Sequence, residues 1–323
     1  MNEFEFISKY LKPLAKSQAS AGLEDDVAVM PQTDRSLIVT TDTIAQGRHF
    51  RVGDPWDTVG QKLVRVNVSD CFSKAALPRF ALLNICWNRE DGQAALEAFV
   101  SGLSADLEAF GIELIGGDTT SHEGPAVLGL TLFGECVREE GPLRRGDAAI
   151  NQDVWVTGTI GDASLGLSRA KSVSPEAERL NQAYLVPSLP PIAFVDLLAR
   201  FGHAALDVSD GLIADAQHLA KTSGLQVDLQ LSSLPISDAA RKECAEMDTE
   251  QLCLALASGG DDYQVLFTTD PVDRKAIEAM AAHSGLQVSR VGRTVEGEGV
   301  LLLGIDGEPV TSLTAGWEHS LFD

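Results

Sequence analysis

The sequence predicts two α/β units, one over residues 1–140 and one over residues 150–323. Three observations point there. The chain has 323 residues, more than one domain of about 100–200 residues usually holds. Both halves mix short apolar runs that read as strands with longer runs of helical spacing. Between them, residues 138–151 are charged and glycine-bearing and show no period.

Taken in order, residues 3–17 place Phe6, Ile7, Tyr10, Leu11 and Leu14 on one face of a helix. Pro13 would kink or shorten it. Residues 20–26 read as a loop ending in Glu24-Asp25-Asp26, followed by strands at 27–30 and 36–41. Asp54-Pro55 is a helix start, an Asp cap with Pro in the first turn. That helix runs on through Leu63, Val64 and Val68. Strands at 79–87, 112–115 and 126–137 surround a long helix at 91–110, which Gly111 closes. In the second half, strands are expected at 153–157, 227–231, 263–267, 287–291 and 300–303. Helices are expected from Asp162 to about Ala170 and at 192–201, 212–223 and 271–283. The proline-bearing stretch 171–191 reads as a bend over the surface.

Composition narrows the function. Net charge is -22, and no basic stripe is visible, which argues against a nucleic-acid partner. Acidity of this size would also repel anionic substrates unless cations intervene. The five cysteines are an odd count without Cys-x-x-Cys spacing, so a reduced, cytoplasmic chain is expected. The histidines show no zinc pattern. No apolar run is long enough to span a bilayer.

One pattern recurs, an apolar run followed by acid and hydroxyl. It appears at Thr40-Thr41-Asp42, at Gly116-Gly117-Asp118-Thr119-Thr120 after the run 112–115, at Asp207-Val208-Ser209-Asp210-Gly211, and at Ser258-Gly259-Gly260-Asp261-Asp262. Each has a plain alternative. Asp initiates turns, and Ser209 or Asp210 suits a helix cap. Gly116-Gly117 reads as a sharp turn before Asp118, a way to bring backbone close to a phosphate or metal. Ser69-Asp70 lies in an apolar, helix-compatible stretch, where Asp is rare unless paired, bonded or metal-bound. Together, many Asp with several Ser and Thr form a donor set for Mg²⁺, which takes oxygen ligands and bridges carboxylates to substrate phosphates. No P-loop, protein-kinase signature or Gly-x-Ser-x-Gly elbow occurs. His49 has an ordinary structural reading, and Trp317 reads as core or as a stacking surface.

The ordered set resembles the thiamine-monophosphate kinases, of the aminoimidazole-ribonucleotide synthetase superfamily. It comprises Asp25-Asp26, Thr40 to Thr43, Gly47 with His49-Phe50, Asn67 to Asp70, Gly116 to Thr120, Val156 to Gly158 with Gly161-Asp162, Asp207 to Leu212, and Ser258 to Tyr263. The resemblance spans nearly the whole chain. It implies ATP-dependent phosphorylation of thiamine monophosphate to thiamine diphosphate, in a homodimer whose N-terminal sheets form a barrel. Implied Mg²⁺ ligands are Asp26, Thr40, Thr41, Asp42, Asp70, Asp118, Asp207 and Asp210. Of these, Asp42, Asp70, Asp118 and Asp210 carry the chemistry. Implied nucleotide contacts are Gly117, Asp118, Arg145 and Ser209; implied substrate contacts are His49, Asp261 and Trp317. The expected reaction is in-line transfer to an ionised phosphate, with no general base. Alternatives are another ATP-using enzyme of the superfamily, or a nucleotide- or thiamine-binding homologue without catalysis.

The chain departs from the family pattern at several points. Leu23-Glu24 replace Ile-Gly before the first acidic pair. Cys71 to Ala76 lacks the usual glycine. Asp261 stands for Glu, Leu189-Pro190-Pro191 lacks an Arg, and the loop around Arg144-Arg145 has lost its usual surroundings.

Overall fold

The structure, a computed structural model, describes residues 3–24 and 27–310. It divides into two compact units, Met1–Cys71 with Ala76–Gly141, and Phe72–Ala75 with Pro142–Asp323.

The first unit is built on a four-stranded sheet in the order β1 (Leu37–Ala45), β4 (Val127–Cys136), β2 (Ala76–Asn88), β3 (Glu113–His122). β4 runs antiparallel to both its neighbours, and β2 and β3 are parallel. The parallel pair requires a crossover, supplied by α3 (Gly92–Ala109). α2 (Trp56–Ser73) and α3 cross closely at two glycines. A Cβ on Gly60 would overlap the Phe99 carbonyl, and one on Gly102 the Asp57 carbonyl. Phe50, Trp56, Trp87 and Phe99 stack in a chain of ring contacts, with Trp56 and Trp87 centroids 4.5 Å apart.

The N-terminal helix expected over 3–17 is broken. It is a turn of α1 (Glu3–Phe6), a π-helical turn (Ile7–Leu11) and a 3₁₀ turn (Lys12–Leu14), because Pro13 cannot continue the ladder. The expected loop from residue 20 begins inside another 3₁₀ segment, Gln18–Leu23, and residues 27–30 form no strand. The larger correction concerns the glycine-acid motif. β3 does not end at Ile115 and turn; it continues, past a bulge in its pairing with β2, through Gly116 to Thr120. Likewise, Thr40 to Asp42 lie inside β1 rather than at its end.

The second unit holds a seven-stranded sheet in the order β11 (Pro309–Val310), β10 (Gly299–Leu303), β7 (Gln226–Gln230), β9 (Val288–Val295), β5 (Asp153–Thr157), β8 (Gln264–Thr269), β6 (Ala205–Val208). Both faces are covered, so β5 is buried at every residue. Val154 and Val156 join one core with α7 (Leu212–Ser223) and α9 (Thr249–Ser258). Trp155 joins the other, with α6 (Ala193–Phe201) and α10 (Arg274–Ser284). The stretch 171–191 is not merely a bend, because it contains α5 (Pro175–Leu185). Ser174 caps that helix and Pro175 takes its first position. α4 (Asp162–Ser168) is as expected but shorter. α8 (Asp238–Glu243) and α9 went unpredicted although Ser237 and Asp248 cap them.

Candidate active site

In the first unit, β1 and α2 bring three oxygen donors together. Alternation along β1 turns Thr40 and Asp42 toward α2 and Thr41 to the opposite face. Asn67, fully buried, locks the helix to the strand. Its Oδ1 accepts the Asp42 amide at 3.1 Å, and its Nδ2 donates to the Leu63 carbonyl at 2.9 Å. One turn further on, Asp70 accepts a hydrogen bond from the Thr40 hydroxyl. Burial, and next the charge of Asp70, push the Asp42 carboxyl up to about 6. Thr40, Asp42 and Asp70 offer only oxygen, so the donor set fits a hard divalent cation such as Mg²⁺.

Asp118 is elsewhere on the sheet. Its register partner is Asn84, which pairs with Gly129, which pairs with Thr43. That puts Asp118 on the face of Thr41, whose hydroxyl lies 3.0 Å from that of Thr131. It also puts Asp118 on the opposite edge strand from Asp42, three strand spacings or about 14 Å along the sheet. One chain therefore does not gather Asp42, Asp70 and Asp118 around a single phosphate. Gly117, at φ +151°, lets β3 approach β2, since a Cβ there would overlap the Leu83 carbonyl oxygen. Asp118 lines a cavity of about 590 Å³ with Leu82, Asn84, Phe133, Leu11 and Met30.

His49 sits in the loop after β1. Its Nδ1 accepts the Ala45 amide at 3.1 Å, so the neutral ring carries its proton on Nε2. Beneath it, Lys62, 2% exposed, donates to the His49 carbonyl at 3.2 Å. Sequence reasoning missed Lys62, although a lysine facing inward from an apolar helix is itself a signal.

In the second unit, loops carry most of the candidate residues. Asp207 lies in β6, with Ser209 and Asp210 just after it. The amide of Asp261 donates to the Ser209 carbonyl at 2.8 Å, and that of Tyr263 to the Val208 carbonyl at 2.8 Å. Two glycines allow the contact. A Cβ on Gly260 would press on the Ser209 carbonyl, and one on Gly211 on the Gly259 carbonyl. Asp215, on α7, accepts the Asp210 amide at 3.1 Å. Burial, and next the Asp210 charge, push the Asp215 carboxyl up to about 7. Asp210, Asp215 and His218 each place one ligand atom within 4.8 Å of the others. The spacing of Asp215 and His218, three residues apart on one helix, could have disclosed this group.

Arg145 is exposed, and its carbonyl accepts hydroxyl bonds from Thr222 and Ser223 at 3.2 Å. It thus stands at the far end of α7 from Asp210, about 18 Å for twelve residues of helix. Asp26 and Trp317 lie outside the described residues.

Two family models match the chain. They describe the AIR synthase related protein N-terminal domain, over residues 24–136, and C-terminal domain, over residues 150–303. A thiamine-monophosphate kinase of Caulobacter vibrioides is 38% identical, covering 98% of this chain and 90% of its own length. One from Escherichia coli is 33% identical, with 98% of both chains covered. Among solved structures, a thiamine-monophosphate kinase from Stenotrophomonas maltophilia superposes with a TM-score of 0.83 at 33% identity, covering 96% of this chain and 98% of that one. AaThiL complexed with AMPPCP and TMP gives 0.77 at 30% identity, with 99% of both covered. The hydrogenase maturation protein HypE in complex with ATP, 17% identical, shares the fold at a TM-score of 0.78, covering 96% of this chain and 94% of that one.

Proposed function

The chain belongs to the thiamine-monophosphate kinase family of the AIR synthase related proteins, and from that premise we infer its reaction. It phosphorylates thiamine monophosphate to thiamine diphosphate at the expense of ATP. The observation that carries this is likeness along the whole length, together with the acid-hydroxyl set of β1 and α2. A relative of the same fold is complexed with AMPPCP and TMP.

The route we propose is direct in-line transfer of the γ-phosphoryl group. The acceptor phosphate is ionised at neutral pH, so the chain need supply no general base. Its residues position the two phosphates and hold cations. The holders of Mg²⁺ would be Thr40, Thr41, Asp42, Asp70 and Asp118 in the first unit, and Asp207 and Asp210 in the second. Asp26 completes the set. Bound Mg²⁺ would neutralise charge on the phosphates of both substrates. Gly117, Asp118, Ser209 and Arg145 would contact the nucleotide. His49, Asp261 and Trp317 would seat the thiamine end, with His49 offering its Nε2–H as a donor.

A homodimer formed through the N-terminal sheets completes this reading. Among the described residues β1 and β3 are the edge strands of this sheet, and Val39, 63% exposed, leaves an apolar surface on the open face. A second copy docked on that face would set its Asp118 near the Thr41 of the first, at the strand that carries Asp42. Residues 1–140 would then be the ATP, Mg²⁺ and dimerisation domain, and residues 150–323 the partner α/β domain. Among the described residues no helix is long and apolar enough to cross a membrane; a cytoplasmic location belongs to the proposed reading.

The test is a product assay with purified protein, ATP and thiamine monophosphate, with and without Mg²⁺. ADP should form only with the acceptor present, alongside a thiamine diphosphate peak that disappears when the metal is chelated. ATP turnover independent of thiamine monophosphate would overturn the reading.

A further inference from the structure

The loop that carries Asp261 has an uncommon backbone. Asp261 and Tyr263 take φ values of +70° and +50°. Left-handed backbone at non-glycine residues is unfavourable and persists where the surroundings over-determine it. Here they do. The amides of Asp261 and Tyr263 are bonded to the carbonyls of Ser209 and Val208, each at 2.8 Å. Between them Asp262 points inward, 5% exposed, and its Oδ2 accepts the Gly161 amide at 2.8 Å. The amide of Ala163 also donates to it. The residues on either side of Asp262 are half-buried and turn out of the fold.

Fixing the backbone leaves the side-chain torsions of Asp261 to be set. The Tyr263 hydroxyl donates to Asp261 Oδ1 at 3.1 Å. Across this left-handed stretch the phenol two residues along reaches back to the acid. A carboxylate held at one oxygen presents the other in a set direction, and binding then costs less side-chain entropy. We propose that Tyr263 is a positioning residue for recognition of the acceptor substrate: its hydroxyl orients the Asp261 carboxylate toward the thiamine end of thiamine monophosphate. This rests on the reading of Asp261 as an acceptor contact. It also accounts for the shorter acid at this position, since Asp tolerates left-handed backbone better than Glu and has one torsion fewer to fix.

The test is a double-mutant cycle of Tyr263→Phe and Asp261→Asn, reading kcat and KM for each substrate. Tyr263→Phe removes one oxygen from a half-buried ring, and an unchanged melting temperature confirms the fold. It should raise the KM for thiamine monophosphate about fivefold to tenfold, the net worth of one typical intramolecular hydrogen bond, and leave the KM for ATP within about twofold of wild type. Asp261→Asn should raise the acceptor KM further, and adding Tyr263→Phe to it should change nothing more. Additive effects, or a wild-type acceptor KM in Tyr263→Phe beside an impaired Asp261→Asn, overturn the proposal alone. A wild-type acceptor KM in Asp261→Asn overturns the reading of Asp261 itself, and the proposal with it.

Discussion

The sheet of the first unit and the loop cluster of the second hold their acids in opposite ways. Thr40, Asp42 and Asp118 ride on strands whose positions the ladder fixes, and each points where alternation sends it. The ladder brings Asp42 to Asp70 through α2 and keeps Asp118 on the other face, at the other edge. In the second unit Ser209, Asp210 and Asp261 leave the strands, and backbone bonds between loops join them. In the proposed reading something added completes the first arrangement, a cation between the carboxylates or a second copy against the open face. The second is already assembled. A strand fixes direction well and cannot converge; a loop converges once glycines and left-handed residues allow it.

The largest expected effect tests the incomplete arrangement. Asp118→Asn should lower turnover on the order of a hundredfold or more, as removal of a charge-stabilising group does, while the melting temperature stays near wild type because Asp118 is exposed. Asp42→Asn should do the same. Mixing the two inactive chains at equal amounts should restore about a quarter of wild-type activity, since half the dimers are mixed and each mixed dimer has one intact site. No recovery after demonstrated subunit exchange would place Asp42 and Asp118 in the same chain's site and undo the contrast.

Two glycine substitutions separate the regions more finely. Gly117→Ala drives a methyl into the Leu83 carbonyl, one pair beyond the bulge between β2 and β3. Overpacking of this kind costs about 1–3 kcal/mol, and a lowered melting temperature should report it. Gly260→Ala presses on the Ser209 carbonyl where two loops meet. The loops can part without unfolding a sheet, so activity should fall more than stability. Equal losses of stability in the two variants would mean that the loop cluster is as much a part of the core as the ladder.

The same contrast governs what the sequence disclosed. Strands and helices with clear apolar period, such as β5, α3 and α7, were legible because burial on a face imposes that period. The acids were legible as types, and their family was recognisable from order and spacing. Their directions were not. Gly116-Gly117 read as a turn because glycine usually marks one, whereas here it serves close strand approach inside β3. Nothing local distinguishes these uses, since the Leu83 carbonyl that decides it is distant in sequence. Asp262 was invisible as a positioning acid for a related reason. It bonds to the backbone amide of Gly161, and a backbone partner leaves no mark in the sequence. α5 and α9 were legible in principle through Ser174-Pro175 and Asp248, but the short caps were outweighed by prolines and by weak periodicity.

The smallest expected effect concerns a left-handed residue outside the loop cluster. Ala75 has φ +53° where the family pattern has glycine, and its methyl is fully buried. An Ala in this conformation costs about 1–2 kcal/mol relative to glycine. Against that, Ala75→Gly would expose no strain but would lose a buried methyl, about 0.8 kcal/mol. It would also free the unfolded chain, at roughly 0.5–1 kcal/mol. The terms oppose and nearly cancel, so Ala75→Gly should shift unfolding free energy by less than about 1 kcal/mol in urea titration. Asp261 differs in kind, because its side chain bonds to Tyr263 and offsets the strain locally, whereas a methyl can only be packed. A clear stabilisation in Ala75→Gly would show that packing does not compensate a left-handed alanine here, and that the departure from glycine carries a real cost.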